Sequence, residues 1–175
     1  MHLPVGDPAV AQVALGPIID QAQLDKIDGI VQQTVDSGAR LAAGGIHDGL
    51  FYRPTVLAEV GTDMAAWREE IFGPVAPVLP FSSTDEAAKL AREAEHGLSL
   101  GILGDVGQAM QLADAIPSGI VHINEQTVSD EANAPFGGIA ASGTGSRFGG
   151  AQANIEAFTE TQWLTVRSDI APYPF

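Results

Sequence analysis

The chain has no cysteine among its 175 residues. Disulfide bonds, thiolate metal sites and a cysteine nucleophile are therefore excluded within this chain. Basic residues are also scarce, because 8 Lys and Arg stand against 22 Asp and Glu and leave a formal net charge of −14. This balance argues against a nucleic acid or an anionic membrane as a partner, since Lys and Arg supply most of the affinity for phosphates.

Long apolar runs are missing as well. None approaches the roughly 20 residues that span a bilayer, and the opening residues, interrupted by Gly6, Asp7 and two prolines, do not form a secretory signal. Hydrophobic residues make up 45% of the chain and charged residues 17%, which is typical of an ordered globular protein. We therefore expect a soluble, cytoplasmic protein with a substantial core.

The region from 75 to 124 predicts strands that alternate with helices. Its apolar runs VAPVLPF, LSLGILG and GIVHIN are typical of short strands. Two helices lie between them, one capped by Ser83 with Glu86 three residues later, the other capped by Asp105. This alternation predicts an α/β fold with parallel strands joined by crossover helices.

The remaining segments carry weaker signals. Residues 21–37 predict a helix that begins after Asp20 and stops at Gly38. The following RLAAGG predicts a short strand, and Pro54 moves part of GLFYRPTVLAEV to an edge position. Residues 125–150 are rich in glycine and have no regular pattern, so we expect them to be functional or mobile.

A serine-hydrolase site and a histidine metal site are both disfavoured by the surrounding sequence. The sequence GLSLG around Ser99 matches a serine-hydrolase nucleophile elbow and is followed by Asp114 and His122. An elbow needs a strand before the serine and a helix after it, whereas Ser99 has the reverse, so we expect a serine buried in a strand. The four histidines have no metal-ligand spacing. We expect His122 to be a strand residue whose hydrogen bonds are satisfied.

Several longer motifs occur together in a fixed order: EEIFGPV, HGLSLGI, GIVHIN, APFGG and SGTGSRFGG. In this combination the chain resembles the C-terminal third of the NAD(P)-dependent aldehyde dehydrogenase superfamily, and the resemblance covers essentially the whole sequence. The variants INEQTVSDE and GSRFGG are most similar to its benzaldehyde and vanillin dehydrogenase branch.

The resemblance implies roles for three residues. Glu70 would hold the hydroxyls of the nicotinamide ribose, and Phe72 would pack beside the nicotinamide. A carboxylate suits the first role because hydrogen bonds to a charged acceptor are strong. Phe136 would line the aldehyde tunnel, and residues 125–134 would form its substrate-selecting loop. The cofactor would be NAD or NADP, and we expect neither to bind tightly to this chain alone.

The resemblance also implies a division into domains and a catalytic cysteine that lies outside this chain. Residues 1–158 would be part of a catalytic domain, and residues 159–175 an oligomerisation strand and tail, with 161–168 extending a partner's sheet. Family catalysis uses a cysteine thiolate that attacks the aldehyde, and this is expected upstream of Met1. The chain alone is therefore predicted to be inactive and to need a missing N-terminal portion or homologous subunits in a homo-oligomer. A non-catalytic assembly module and a gene remnant are the alternatives.

Overall fold

The computed structural model describes residues 3–170, and their contacts divide the chain into two units, one ending at Ser82 and the other beginning at Ser83. Both units contain helices and strands, so the predicted α/β class is confirmed. No helix among the described residues is long and apolar enough to cross a membrane.

The first unit is built on one long helix, α1 (Gln21–Asp36). It begins where predicted, because the side chain of Asp20 accepts a hydrogen bond of 2.8 Å from the backbone N–H of Gln23. It stops before Gly38, whose φ of 108° lies in the left-handed region that favours glycine. The face of α1 that carries Leu24 and Ile27 is buried.

A small mixed sheet accompanies this helix. The strands and the short second helix of the first unit are β1 (Arg40–Ala43), β2 (His47–Asp48), β3 (Phe51–Tyr52), β4 (Thr55–Ala58), α2 (Ala65–Arg68) and β5 (Val75–Val78). Strand β4 is central, with β1 antiparallel on one side and β5 parallel on the other, while β2 and β3 form a separate hairpin. Pro54 lies between β3 and β4, where its missing N–H interrupts no ladder.

The second unit has shorter elements. They are α3 (Thr84–Arg92), β6 (His96–Gly97), β7 (Ser99–Ile102), α4 (Val106–Ala115), β8 (Ile120–Ile123), β9 (Ile139–Ala140) and α5 (Ala151–Phe158). Strands β7 and β8 are parallel and are connected through α4, as the sequence predicts, and β6 pairs with β9 antiparallel. Both predicted caps form, since Ser83 Oγ accepts from Glu86 N at 3.2 Å and Asp105 Oδ1 accepts from Gln108 N at 3.0 Å.

Three features depart from the expectations. The continuous parallel sheet is not confirmed, because β5 pairs with β4 and the β7–β8 pair forms a sheet of its own. Helix α5 was not predicted, since it follows two glycines with positive φ and has no side-chain cap. Residues 161–168 form no strand within this chain. The oligomerisation strand and the boundary at 158 stay predictions, and residues 171–175 of the tail lie outside the described residues.

Candidate functional site

The turn between α2 and β5 is fixed by side chains of α1. Lys26 Nζ donates to the carbonyl of Glu70 at 2.8 Å. Gln23 Nε2 donates to the next two carbonyls, those of Ile71 at 3.0 Å and Phe72 at 3.3 Å. Three consecutive carbonyls are thus tied to one helix, which leaves the turn little freedom to change shape.

Packing reinforces these bonds. Ile71 is buried in the core of the first unit. A Cβ built on Gly73 would lie 2.5 Å from Ile27 Cδ1, so glycine is what allows the turn to approach α1 this closely. The carbonyl of Pro74 accepts from Thr55 N at 2.9 Å and leads directly into the β4–β5 ladder.

Phe72 is held outward by this turn at a conformational cost. Its φ is 52°, a left-handed value that is unusual for a bulky residue. Its side chain is 73% exposed, so the strain is not offset by burial within this chain. An exposed aromatic in a strained backbone conformation is typical of a binding site, because the surrounding bonds over-determine the strain.

Glu70 presents a free carboxylate on the same turn. Its side chain is exposed, and among residues 3–170 the carboxylate has no hydrogen-bond or ion-pair partner. Both oxygens therefore remain open to hydroxyl donors. The structure brings Glu70 and Phe72, two of the three residues predicted from the resemblance, onto one rigid turn of the first unit.

Phe136, the third predicted residue, lies in the second unit. Its backbone forms a bridge with Phe148, whose N–H donates to the Phe136 carbonyl at 2.9 Å. Arg147 Nη1 then donates to the carbonyls of Gly137 at 3.0 Å and Gly119 at 3.1 Å. These bonds anchor Phe136 and the residue after it, and the side chain of Phe136 is 42% exposed.

A cavity of about 100 Å³ opens beside Phe136. Its lining comes from β8 and the loop after it, and comprises Ile120, His122, Ser129, Asp130, Glu131, Ala134, Pro135 and Phe136. The predicted substrate-selecting loop therefore contributes to the same cavity as Phe136.

His122 corrects one expectation from the sequence. It lies on β8 as predicted, but its Nε2 is buried and has no hydrogen-bond partner among the described residues. The nearest acid, Asp130, has its Oδ1 4.0 Å away. The prediction of a satisfied histidine is therefore wrong for this nitrogen. The alternation of strand residues could place His122 on β8, but it could not show that a loop residue eight positions later fails to reach it.

Ser99 lies on a strand as the sequence predicts, but it is only partly buried. It opens strand β7, and its hydroxyl donates to the carbonyl of Thr127 at 3.1 Å. A serine that begins a strand and is engaged with backbone does not match the exposed elbow of a hydrolase. Within the described residues, no group of three His, Asp or Glu side chains is arranged to hold a metal ion.

Comparison with known proteins gives a consistent result. Residues 1–164 match the sequence profile described as the aldehyde dehydrogenase family. The chain is 65% identical to a vanillin dehydrogenase of Amycolatopsis sp. over 175 residues, which covers 99% of this chain and 36% of that protein. It is 41% identical to an NAD(+) benzaldehyde dehydrogenase of Pseudomonas putida, and the match again covers 99% of this chain and 36% of that protein.

Solved structures agree. A salicylaldehyde dehydrogenase from Pseudomonas putida G7, complexed with salicylaldehyde, superimposes with a TM-score of 0.90 at 37% identity, covering 99% of this chain and 36% of that one. A Mycobacterium tuberculosis aldehyde dehydrogenase complexed with NAD+ gives a TM-score of 0.83 at 32% identity, and the superposition covers 90% of this chain and 33% of that one. The chain thus spans about a third of the length of the relatives it matches.

Proposed function

Because this chain belongs to the aldehyde dehydrogenase family, we propose that it supplies the cofactor-ribose and substrate-tunnel residues of an enzyme that oxidises aromatic aldehydes to carboxylic acids with NAD or NADP. The observation that carries the proposal is the turn at 70–74, on which the exposed carboxylate of Glu70 and the exposed aromatic side chain of Phe72 lie two residues apart. The names of the relatives support the substrate class, since vanillin, benzaldehyde and salicylaldehyde are all aromatic.

Each residue has a distinct task in this proposal. Glu70 accepts hydrogen bonds from the two hydroxyls of the nicotinamide ribose, which fixes the position of the ring. Phe72 covers one face of the nicotinamide, and its anchored backbone orients the ring before the substrate arrives. Phe136 forms an apolar wall for the aldehyde. When bound, the cofactor supplies a hydride acceptor.

This chain holds no nucleophile of the kind that attacks an aldehyde in this chemistry, because it has no cysteine. We propose that the thiolate and the rest of the nucleotide site come from additional polypeptide. The isolated chain then oxidises no aldehyde and binds the cofactor weakly.

A fusion protein tests the proposal. The part of the Amycolatopsis vanillin dehydrogenase that precedes the matched region would be joined to this chain, a graft favoured by their 65% identity. We expect the fusion to reduce NAD or NADP with benzaldehyde or vanillin, and the isolated chain to do neither. A fusion that is folded, as judged by circular dichroism and a single oligomeric species, yet oxidises no aldehyde would overturn the proposal.

The role of Glu70 is tested in the same fusion by Glu70→Gln, which keeps the size of the side chain and removes its charge. Loss of charged hydrogen bonds to the ribose is expected to lower kcat/KM for the cofactor by about 10- to 100-fold. The matched control is Glu69→Gln, which makes the same change of charge on the neighbouring exposed carboxylate. Equal effects of the two substitutions would exclude a specific ribose contact.

A second candidate function is a non-catalytic assembly module. It is favoured by the C-terminal segment, where Trp163 is 91% exposed, Leu164 75% and Val166 78%. Such a segment suits strand addition to another subunit. If this is the function, the chain will copurify with full-length relatives when coexpressed, and the fusion described above will be inactive.

A further inference from the structure

The cavity beside Phe136 has the size of a substituent and not of a whole ligand. Its volume of about 100 Å³ lies well below the roughly 300–1,000 Å³ of pockets that enclose drug-sized molecules. It exceeds the roughly 10–15 Å³ that a cavity needs in order to hold one water. A group the size of a hydroxyl, with or without a neighbouring methoxy, fits this space.

His122 gives this small space its polarity. Strand pairing fixes its backbone, because His122 lies opposite Gly101 in the parallel β7–β8 ladder. The side chain is only 12% exposed, and its Nε2 is buried without a partner in the part of the chain that the structure describes. Buried polar groups are nearly always hydrogen-bonded, so an unpaired imidazole nitrogen in a residue that lines a cavity calls for a partner that enters there.

Asp130 lies where it can share that partner. Its Oδ1 is 4.0 Å from His122 Nε2, which is beyond the roughly 3.2 Å limit of a direct hydrogen bond. An oxygen atom placed about 2.8 Å from each of them would satisfy both. A hydroxyl suits this position because it accepts from an imidazole N–H and donates to a carboxylate at the same time.

We propose that His122 and Asp130 recognise the ring hydroxyl of a phenolic aldehyde and make the enzyme prefer such substrates to unsubstituted benzaldehyde. Ile120 and Phe136 supply the apolar wall on which the aromatic ring rests, since both line the same cavity. This inference rests on the proposed function, which it deepens by naming the substrate class and the residues that select it.

The test in the fusion protein is a ratio of specificities. The three hydroxybenzaldehyde isomers are compared with benzaldehyde, and the isomer with the highest kcat/KM relative to benzaldehyde is taken as the probe. His122→Phe keeps a planar ring but removes both nitrogens. We expect it to lower the probe-to-benzaldehyde ratio by about 3- to 10-fold, the effect of losing one hydrogen bond, mainly through KM.

Three further variants make the result specific. His122→Gln retains a hydrogen-bonding amide and is expected to recover part of the ratio, while Asp130→Asn is expected to lower it. The matched control is His96→Gln, because His96 is an exposed histidine on β6 of the same unit. We expect the control to leave the ratio as it is.

A binding measurement on the isolated chain provides a readout besides activity. The chain, labelled with ¹⁵N-histidine, is titrated with the probe hydroxybenzaldehyde and separately with benzaldehyde. Only the phenolic compound is expected to shift the imidazole nitrogen resonances of His122, which are assigned by their loss in His122→Gln.

The outcomes separate this inference from the proposed function. An active fusion whose ratio is insensitive to His122 and Asp130 overturns the inference and assigns the cavity to water alone. An inactive fusion overturns the proposed function, and the titration then decides the hydroxyl site by itself. Equal shifts with both aldehydes, or none with either, overturn the hydroxyl site.

Discussion

The two units of this chain are each stabilised internally in a different way. The first has ten buried apolar residues in one cluster: Leu24, Ile27, Ile30, Val31, Ala39, Tyr52, Leu57, Val60, Ala66 and Ile71. Among the described residues of the second, only Ala88, Ala109 and Ile116 are buried apolar side chains. Burial of large side chains stabilises the first unit, whereas the second depends more on backbone hydrogen bonds and close glycine contacts.

In the second unit, backbone segments are joined by an asparagine side chain and by the close approach of glycines. Asn124, at a φ of 58°, bonds both the N–H and the carbonyl of Gly104, at 2.8 and 3.0 Å. A Cβ on Gly119 would lie 2.0 Å from the carbonyl oxygen of Gly137. The proposed cofactor turn thus rests on a packed core, and the proposed substrate loop rests on a hydrogen-bonded frame.

The largest expected effect is the removal of a core side chain in the first unit. Ile27 is fully buried and contacts Gly73 of the cofactor turn. Ile27→Ala is expected to lower the free energy of unfolding by about 2–5 kcal/mol through lost burial and the cavity it leaves. Urea unfolding followed by the fluorescence of Trp67, which packs against this core, measures the change.

Ile19→Ala is the control for this substitution, because it removes the same side-chain atoms at a position that is 83% exposed. It is expected to change the free energy of unfolding by less than about 0.5 kcal/mol. If the two variants were equally destabilised, the first unit would have no specific core at Ile27 and the comparison between the units would fail.

Local signals in the sequence predict much of this fold. The three longest helices begin directly after Asp20, Ser83 and Asp105, because each of these side chains accepts a hydrogen bond from a backbone N–H three residues later. Pairings between distant segments were harder to predict. The antiparallel β1–β4 pair and the separation of β5 from β7 depend on tertiary packing that short apolar runs do not encode.

The candidate site divides in the same way. Glu70, Phe72 and Phe136 could be named from motifs, and their roles remain proposals. The left-handed backbone of Phe72 and the unpaired Nε2 of His122 could not be predicted, because each depends on contacts made by residues far along the chain or on their absence.

An intermediate effect is expected from adding one methyl group to the glycine frame of the second unit. Gly119→Ala would force Cβ against the carbonyl of Gly137 and disturb the two bonds from Arg147. Since neither backbone segment can move without disturbing its hydrogen bonds, we expect the free energy of unfolding to fall by about 1–3 kcal/mol. Hydrogen exchange of the β7 and β8 amides measures it.

Gly29→Ala is the matching substitution in the first unit and should have the opposite sign. Gly29 lies inside α1, where a Cβ would meet nothing closer than Gln33 Nε2 at 4.0 Å. Alanine is expected to stabilise the helix by about 0.5–1 kcal/mol. Destabilisation by both substitutions, or by neither, would show that close glycine contacts do not distinguish the second unit.

A similarly small effect at neutral pH is expected at the one buried phenol of the first unit. Tyr52 is 1% exposed, and its hydroxyl donates to Asp28 Oδ1 at 3.1 Å. Burial, together with the hydrogen bond to Asp28 and the charge of that residue, raises the pKa of Tyr52 above its ordinary value. Tyr52→Phe removes the hydroxyl and is expected to cost about 1 kcal/mol at pH 7.

The pH dependence gives this last prediction its sharper form. Above about pH 10 the tyrosine of the unfolded chain loses a proton that the folded chain retains, so the stability contributed by Tyr52 falls as the pH rises. The cost of Tyr52→Phe should therefore shrink, by up to roughly 1.4 kcal/mol per pH unit, and then reverse. Asp28→Asn, which keeps the acceptor oxygen but removes the charge, should weaken this dependence. A cost of Tyr52→Phe that stays constant from pH 8 to about pH 11 would mean that the phenol reaches solvent, and the core that sets the first unit apart from the second would be open at its largest side chain.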